Sequence, residues 1–172
     1  MIPIAIIYGS STGSTEAVAK LLASKLLGAQ VELVDVSKAS ASTLEKYPNL
    51  ILGTSTWGLG DLQDDWETFL PILKNANLDG KTVALFGLGD AQGYPDTFVD
   101  GIGIIHEAIE GKGINLIGLT GKEGYDFLGS KALRNDSFLG LVIDVDNEDH
   151  LTHSRVEAWA GSILGLMLNP NK

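Results

Sequence analysis

Ile2-Pro3-Ile4-Ala5-Ile6-Ile7-Tyr8-Gly9-Ser10-Ser11-Thr12-Gly13-Ser14-Thr15 is the stretch on which the fold turns. Its first half is nearly all apolar, as expected of a central parallel strand covered on both faces rather than a strand with one wet side. A helical pattern follows from Thr15 to Leu27, with Ala17, Val18, Leu21, Leu22 and Leu26 on one face and Gly28 as its stop. The loop between them, Gly9 to Thr15, is a phosphate cradle. Ser10, Ser11, Thr12, Ser14 and Thr15 offer hydroxyls, Gly13 lets the backbone come close to a ligand, and the helix N-terminus adds free amides and a positive dipole end. No Lys or Arg lies inside the loop, so an anion would be held by hydrogen bonds and dipoles. That suits a bound phosphomonoester better than a triphosphate being turned over.

Two other phosphate loops are excluded by spacing. Gly-x-x-x-x-Gly-Lys-Ser/Thr needs a lysine that is missing here, and Gly-x-Gly-x-x-Gly needs glycines where only Gly9 and Gly13 stand. Without those glycines, Asp35 reads as a strand-end carboxylate rather than a ribose ligand.

Working outward, strand patterns recur at Val31 to Val36, Asn49 to Thr54 and Thr82 to Leu88. Between them lie a loop with a short helix (Ala39 to Tyr47) and a helix from Asp65 to Leu73, with Asp64 as N-cap and Pro71 weakening its second half. A further helix is expected from Phe98 to Ile109. Ile114 to Leu119 reads as the fifth strand, but its apolar sequence resumes only at Phe138 to Val145. The Gly-, Lys- and Asp-rich Gly121 to Asn135 between them therefore reads as an insertion that interrupts the strand. Thr152 to Met167 closes the chain as a helix capped by Thr152 or Ser154. The alternation predicts an α/β fold of three layers, a doubly wound five-stranded parallel sheet with helices on both faces, as one domain over residues 1–172.

In such a sheet ligands bind beyond the carboxyl ends of the strands. Three loops should meet there: Gly9 to Thr15, Thr54 to Leu62, and Gly87 to Tyr94. The second contains Thr56-Trp57-Gly58-Leu59-Gly60-Asp61 and the third Gly89-Asp90-Ala91-Gln92-Gly93-Tyr94. Each sets one large aromatic in a glycine-rich surface loop, and two such rings can enclose a planar ligand by stacking. Gly58, Gly60 and Gly89 let backbone groups reach the edge of that ligand. A phosphomonoester carrying a planar heterocycle at its far end describes FMN.

Composition narrows the rest. There is no cysteine, hence no disulfide, thiolate metal site or iron–sulfur cluster. His106-Glu107 is not a zinc-binding His-Glu-x-x-His, and His150 with His153 reads as solvent-exposed rather than metal-binding. No Gly-x-Ser-x-Gly elbow occurs, and the third strand ends in Thr54 and Ser55 without the phosphoacceptor Asp of a receiver domain. No secretory leader or membrane-length apolar run is visible, so a cytoplasmic protein is expected. The net charge of −10 argues against nucleic acid or anionic membrane as partner and for steering toward basic proteins.

These residues together resemble the flavodoxins, of the long-chain kind, over the whole chain. The resemblance rests on Ser-Ser-Thr-Gly-Ser-Thr at 10–15, Thr56-Trp57, Gly89-Asp90 with Tyr94, and Gly124-Tyr-Asp-Phe with Ser130-Lys-Ala-Leu-Arg-Asn in the insertion. It implies a flavodoxin-like strand order 2-1-3-4-5 and a non-covalently bound FMN that shuttles between semiquinone and hydroquinone at low potential. It further implies that Trp57 and Tyr94 stack on the ring, that Asp90 and Leu59 meet its edge through backbone groups, and that Thr56 and Asp146 approach the ribityl chain and phosphate. Three positions depart from the family's usual residue types: Ser14, Ser55, and Val99, where a polar side chain is frequent. The implied partners are redox proteins with basic docking surfaces, reductases and oxidoreductases, including exchanges otherwise served by ferredoxin, met by a monomer. The alternative is an FMN-dependent reductase acting on a small substrate, for which no acid, base or hydride-donor site is visible.

Two mechanistic expectations follow from that reading. Rotation of the Gly58–Leu59 peptide would turn a carbonyl toward flavin N5 once N5 gains a hydrogen, and glycine tolerates the angles required. The acids Asp61, Asp64, Asp65, Glu67 and Asp90 would oppose an anionic hydroquinone. At an effective dielectric of ~20 and ~12 Å each is worth at most about 1.4 kcal/mol, or roughly 60 mV for a one-electron couple.

Overall fold

The structure is a computed structural model and describes residues 1–172. The chain runs β1 (Ile2–Tyr8), α1 (Ser14–Lys25), β2 (Ala29–Asp35), α2 (Ala41–Lys46), β3 (Asn49–Trp57), β4 (Asp61–Leu62), α3 (Asp64–Asn75) and β5 (Thr82–Leu88). It continues with α4 (Asp100–Ile109), β6 (Asn115–Ile117), β7 (Thr120–Gly121), β8 (Leu133–Arg134), β9 (Ser137–Phe138), β10 (Leu141–Ile143), α5 (Val145–Glu148) and α6 (Thr152–Leu164).

The parallel sheet is ordered β2-β1-β3-β5, and the edge beyond β5 is shared by two short strands. β6 pairs with the first half of β5 (Asn115 beside Thr82), β10 with the second (Ile143 beside Leu88). The expected order 2-1-3-4-5 thus holds, with one fifth strand split in two. Gly140 stands at the junction, where any Cβ would run into the Leu85 carbonyl. The hairpin strand β4 adds antiparallel to the end of β3.

Because both faces of the sheet are covered, alternate residues of each strand feed two separate cores. Leu50, Leu52, Val83 and Leu85 pack toward α3 and α4, against Trp66, Phe69, Ile102 and Ile105. Ile4, Ile6, Ile51 and Phe86 pack toward α1 and α6, against Val18, Leu22, Val156 and Trp159.

The insertion is itself a folded unit. β7, β9 and β8 form a small antiparallel sheet, and Phe98, Tyr125, Phe127 and Phe138 pack ring against ring at centroid distances of 5.4–6.2 Å. The Tyr125 hydroxyl donates to the Val142 carbonyl at 2.6 Å, tying the insertion to β10, while the Arg155 guanidinium lies over its ring at 4.3 Å. Burial, outweighing the nearby Arg155 charge, pushes the Tyr125 phenol up to about 12, so the donor stays protonated throughout the working range. Replacing Tyr125 by Phe keeps the ring and removes one buried hydrogen bond. Urea unfolding is expected to show a loss of about 1 kcal/mol.

Several expected element ends shift, each for a local reason. The helix expected from Phe98 starts at Asp100, since Val99 adopts a left-handed φ of 49° and Phe98 belongs to the aromatic cluster of the insertion. Asp64 is not the cap of α3. Gln63 is: its Oε1 accepts from the Trp66 amide at 3.1 Å. Pro71 does not end that helix, which continues to Asn75. Neither Thr152 nor Ser154 caps α6, because a 3₁₀ turn at Asp149–Leu151 feeds it in helical geometry, and the Ser154 hydroxyl donates back to the Leu151 carbonyl. That helix ends at Leu164 rather than Met167. The second strand spans Ala29–Asp35, leaving Val36 to a 3₁₀ turn capped by the Asp35 carboxylate. The third runs on past Thr54 to Trp57.

Candidate functional site

The carboxyl ends of β1, β3 and β5 and the junction of β10 with α5 surround a cavity of about 380 Å³. That is within the usual range for a small-ligand site. Its walls are built by distinct local devices.

The first wall is the start of α1. Gly13 stands at the cap position with φ 95°, and no side chain caps the helix. The amides of Ser14, Thr15 and Glu16 therefore have no helical acceptor. Thr12, Ser14 and Thr15 line the cavity, whereas Ser10 and Ser11 brace the loop from behind. Ser10 Oγ accepts from the Gly13 amide at 3.0 Å, and Ser11 Oγ accepts from Gln63 Nε2 at 3.3 Å. The loop is anchored below by Gly53, whose carbonyl accepts from both the Gly9 amide and Trp66 Nε1. A Cβ on Gly9 would sit 2.6 Å from the Trp66 ring, so the strand must leave this point as glycine.

The second wall is the end of β3. Thr56, Trp57 and Gly58 line the cavity, with Trp57 41% exposed. The Gly60 amide donates to the Trp57 carbonyl at 3.2 Å, closing a tight turn in which Gly58 has φ 51°. Leu59, at its tip, projects outward and is 86% exposed. Gly60 faces Asp100 rather than the cavity. The Thr56 hydroxyl accepts from the Gly101 amide at 2.9 Å, so it serves the start of α4.

Gly89, Asp90 and Tyr94 form the third wall, and the Tyr94 side chain is 45% exposed. Asp90 Oδ1 accepts from the Gly93 amide and from Asn147 Nδ2, both at 2.8 Å. These bonds, the Gly93 amide foremost, hold its carboxyl below the usual range. Asp146 lines the cavity from α5, and its carboxyl is pushed up by loss of water and then by Asp90 and Asp144.

Of the residues expected from the sequence, the structure brings together Thr12, Ser14, Thr15, Thr56, Trp57, Gly58, Gly89, Asp90, Tyr94 and Asp146. Ser10, Ser11, Gly13, Leu59 and Gly60 shape the loops from outside the lining. Sequence reasoning missed Ser55, Leu88 and Val145, which also line it. It missed too the buried Asp144, which accepts from the Ala91 amide at 3.1 Å and from Asn147, pinning the Tyr94 loop to the end of β10. The signal was present: Asp144-x-x-Asn147 is a helix-cap spacing, obscured by reading the strand through to Val145.

The insertion braces the same loop from its other side. The Leu128 and Gly129 amides both donate to the Pro95 carbonyl, at 2.8 and 3.0 Å, and Phe98 donates to the Gly129 carbonyl at 3.1 Å. Asp100, only 3% exposed, accepts from the Lys131 amide at 2.7 Å. Burial raises its carboxyl pKa despite that bond. A carboxyl raised on folding contributes most while protonated, below its unfolded value, and loses that contribution as the pH climbs through the folded one. Asp100→Asn keeps an oxygen acceptor for Lys131 and removes the desolvated charge. The variant is expected to gain roughly 1 kcal/mol or less at pH 7, an advantage that fades toward pH 4 when urea unfolding is followed across that window.

Chemically, the cavity offers amides and hydroxyls for an anion on one wall and two half-exposed aromatic rings on others. A phosphate ester of a flat heterocycle fits that donor set.

Comparison with known proteins agrees with this chemistry. Residues 6–159 match the family model described as Flavodoxin. The chain is 43% identical over 160 residues to a flavodoxin of Nostoc sp., covering 93% of this chain and 94% of the relative. It is 42% identical over 159 residues to flavodoxin 1 of Escherichia coli strain K12, covering 92% and 90%. Among solved structures it is similar to Fusobacterium nucleatum flavodoxin bound to flavin mononucleotide, with a TM-score of 0.93 at 27% identity over 98% of this chain and 100% of that one.

Proposed function

The chain belongs to the flavodoxin family, and from that premise we propose that it carries single electrons between redox proteins, using non-covalently bound FMN and transforming no substrate of its own. The observation that carries this reading is the coincidence in one cavity of an uncapped helix N-terminus with hydroxyls and, on separate loops, the half-exposed rings of Trp57 and Tyr94. FMN supplies the one-electron chemistry through its ring when bound.

The residues of the chain supply position and potential. Thr12, Ser14 and Thr15, with the first-turn amides of α1, hold the phosphate in a loop free of Lys and Arg, while Ser10, Ser11 and Gly13 keep that loop in shape. Trp57 and Tyr94 cover the ring and exclude water from it. Gly89 and the backbone of Asp90 meet its edge, Thr56 and Asp146 flank the ribityl side, and Leu59 marks the rim. Gly58, already in the left-handed region, lets the Gly58–Leu59 peptide rotate and change the polar atom presented to the cavity. The acids from Asp61 to Glu67 and Asp90 set a negative field over the site, which makes the last electron harder to add and easier to give away.

The same field selects partners. With a net charge of −10, the chain suits reductases and oxidoreductases with basic docking faces, in exchanges a ferredoxin would otherwise serve, and it acts as a cytoplasmic monomer. No helix of the structure is long and apolar enough to cross a membrane.

Binding is tested directly. Titration of the apoprotein with FMN is expected to quench flavin fluorescence to an end point of one flavin per chain. A chain that takes up no flavin would refute the reading.

A further inference from the structure

The insertion closes on α4 along a strip that leaves no room for a side chain at its head. A Cβ on Gly103 would run into the Lys131 carbonyl, so helix and insertion meet backbone to backbone there. His106 follows three residues later, one turn further along the same strip of α4. On the insertion side Ala132 is fully buried, and Leu133 packs against the same core.

The His106 imidazole is half-buried, and its Nδ1 is shut off from solvent without a hydrogen-bond partner. With the ring neutral and its proton on Nε2, that nitrogen is merely an unused acceptor. Protonation would turn it into an N–H donor with nothing to receive it, on a ring that then carries a full charge. Arg134 of β8 opposes a second cation beside it. Its guanidinium is folded back onto the Lys131 and Leu133 carbonyls, at 2.9 and 2.8 Å, and stays with the insertion. Glu110, one turn further on α4, favours the charge. Loss of water outweighs Glu110, and Arg134 adds to it, so the imidazole is held below its ordinary value. The segment that covers this ring also braces the cavity: Gly129 and Lys131 hold Pro95, Phe98 and Asp100 behind the Tyr94 loop.

We propose that His106 is a pH-sensitive latch between α4 and the insertion: neutral, it lets the two close, and protonated, it loosens the insertion and with it the brace on the Tyr94 loop. The consequence for the cofactor rests on the flavin reading above, whereas the latch itself does not. The folded chain takes up this proton less readily than the unfolded one. The contact is therefore at full strength above pH ~6.5 and weakens as the pH falls through that value. Asp100, bonded to the Lys131 amide, changes in the opposite sense, and does so equally whatever residue stands at 106.

The test compares wild type with His106→Gln and His106→Leu, neither of which can take up a proton. Each apoprotein is unfolded in urea and titrated with FMN at pH 7.5, 6.5 and 5.5. Between the extremes, wild type is expected to lose stability relative to both variants, and its FMN affinity to fall about three- to tenfold further than theirs, tenfold corresponding to one unit of displaced proton affinity. The phosphate of FMN and the carboxyls of the chain titrate in all three proteins and cancel in the comparison. A purely structural histidine would offset stability by the same amount at every pH. Proton NMR of wild type alone supplies a check independent of substitution: His106 is expected to titrate below about 6.5. Parallel pH profiles for wild type and variants, or a His106 midpoint at or above that value, overturn the proposal. If wild type binds no flavin, the cofactor reading fails, and the urea and NMR profiles still decide the latch.

Discussion

Trp57→Ala is expected to weaken FMN binding by about 30- to 100-fold while leaving the stability of the apoprotein within about 0.5 kcal/mol of wild type. The two effects separate because of where the side chain sits. Trp57 is the last residue of β3, and its ring is 41% exposed, so little core is lost with it. Its backbone, in contrast, is held on both sides. It pairs with Asp61 in β4, and its carbonyl accepts from Gly60. The truncated side chain therefore leaves a turn of unchanged shape with one aromatic surface missing. Stacking of a flat heterocycle on such a ring is worth about 1–3 kcal/mol, and the indole is the larger of the two candidate rings. Fluorescence titration of the purified apoprotein reads the affinity, and urea unfolding reads the fold. An affinity within threefold of wild type would mean that Trp57 merely closes its own turn.

Neutralising Asp61 and Asp65 together, as Asp61→Asn with Asp65→Asn, is expected to raise the potential of the second, more reducing electron transfer by about 60–120 mV at low ionic strength. The shift should shrink substantially in 0.5 M salt, where the Debye length of about 4 Å is much shorter than the ~12 Å over which the exposed Asp61 and the half-buried Asp65 act. The second electron leaves a negative charge in the cavity, so each nearby carboxylate opposes it. Asp61 lies beside the Gly58 turn, and Asp65 is steadied at the start of α3 by Gln63 Nε2 at 2.9 Å. The first electron, accompanied by a proton, should respond much less. Potentiometric titration at two salt concentrations measures both couples. A second potential unmoved at low salt would remove the acids from the account. Asp90 is the wrong residue for this test, because its carboxylate also holds the Gly93 amide and Asn147.

Where the sequence was legible, the physics was local. Ile2 to Tyr8 reads as a doubly covered strand because both of its faces meet helices, and Gly9 to Thr15 reads as an anion loop because hydroxyls, glycine and a helix start follow one another without interruption. The split fifth strand was visible for a similar reason, as two short apolar runs with a polar excursion between them.

Misreadings arose where distant residues supplied the decisive contact. Phe98 continues the apolar spacing of Ile102, Ile105 and Ile109 into what looks like one helix. Its burial, however, comes from Phe127 and Phe138 of the insertion. The left-handed Val99 that separates the two has no sequence signature, since a β-branched residue is among the least expected there. Gln63 is an uncommon cap, chosen here because one amide side chain can serve Trp66, Asp65 and the Ser11 loop together. Asp144 answers to Ala91, 53 residues away. Ser55 could be flagged as an unusual residue from sequence, but not as a buried hydroxyl without a partner.

The most direct test of the central claim is anaerobic stepwise reduction of the FMN-loaded protein, followed by visible absorption. A carrier of single electrons is expected to accumulate a blue species with long-wavelength absorption after one electron and to bleach only with the second. Bleaching in a single two-electron step, with no blue species at any stage, would contradict it.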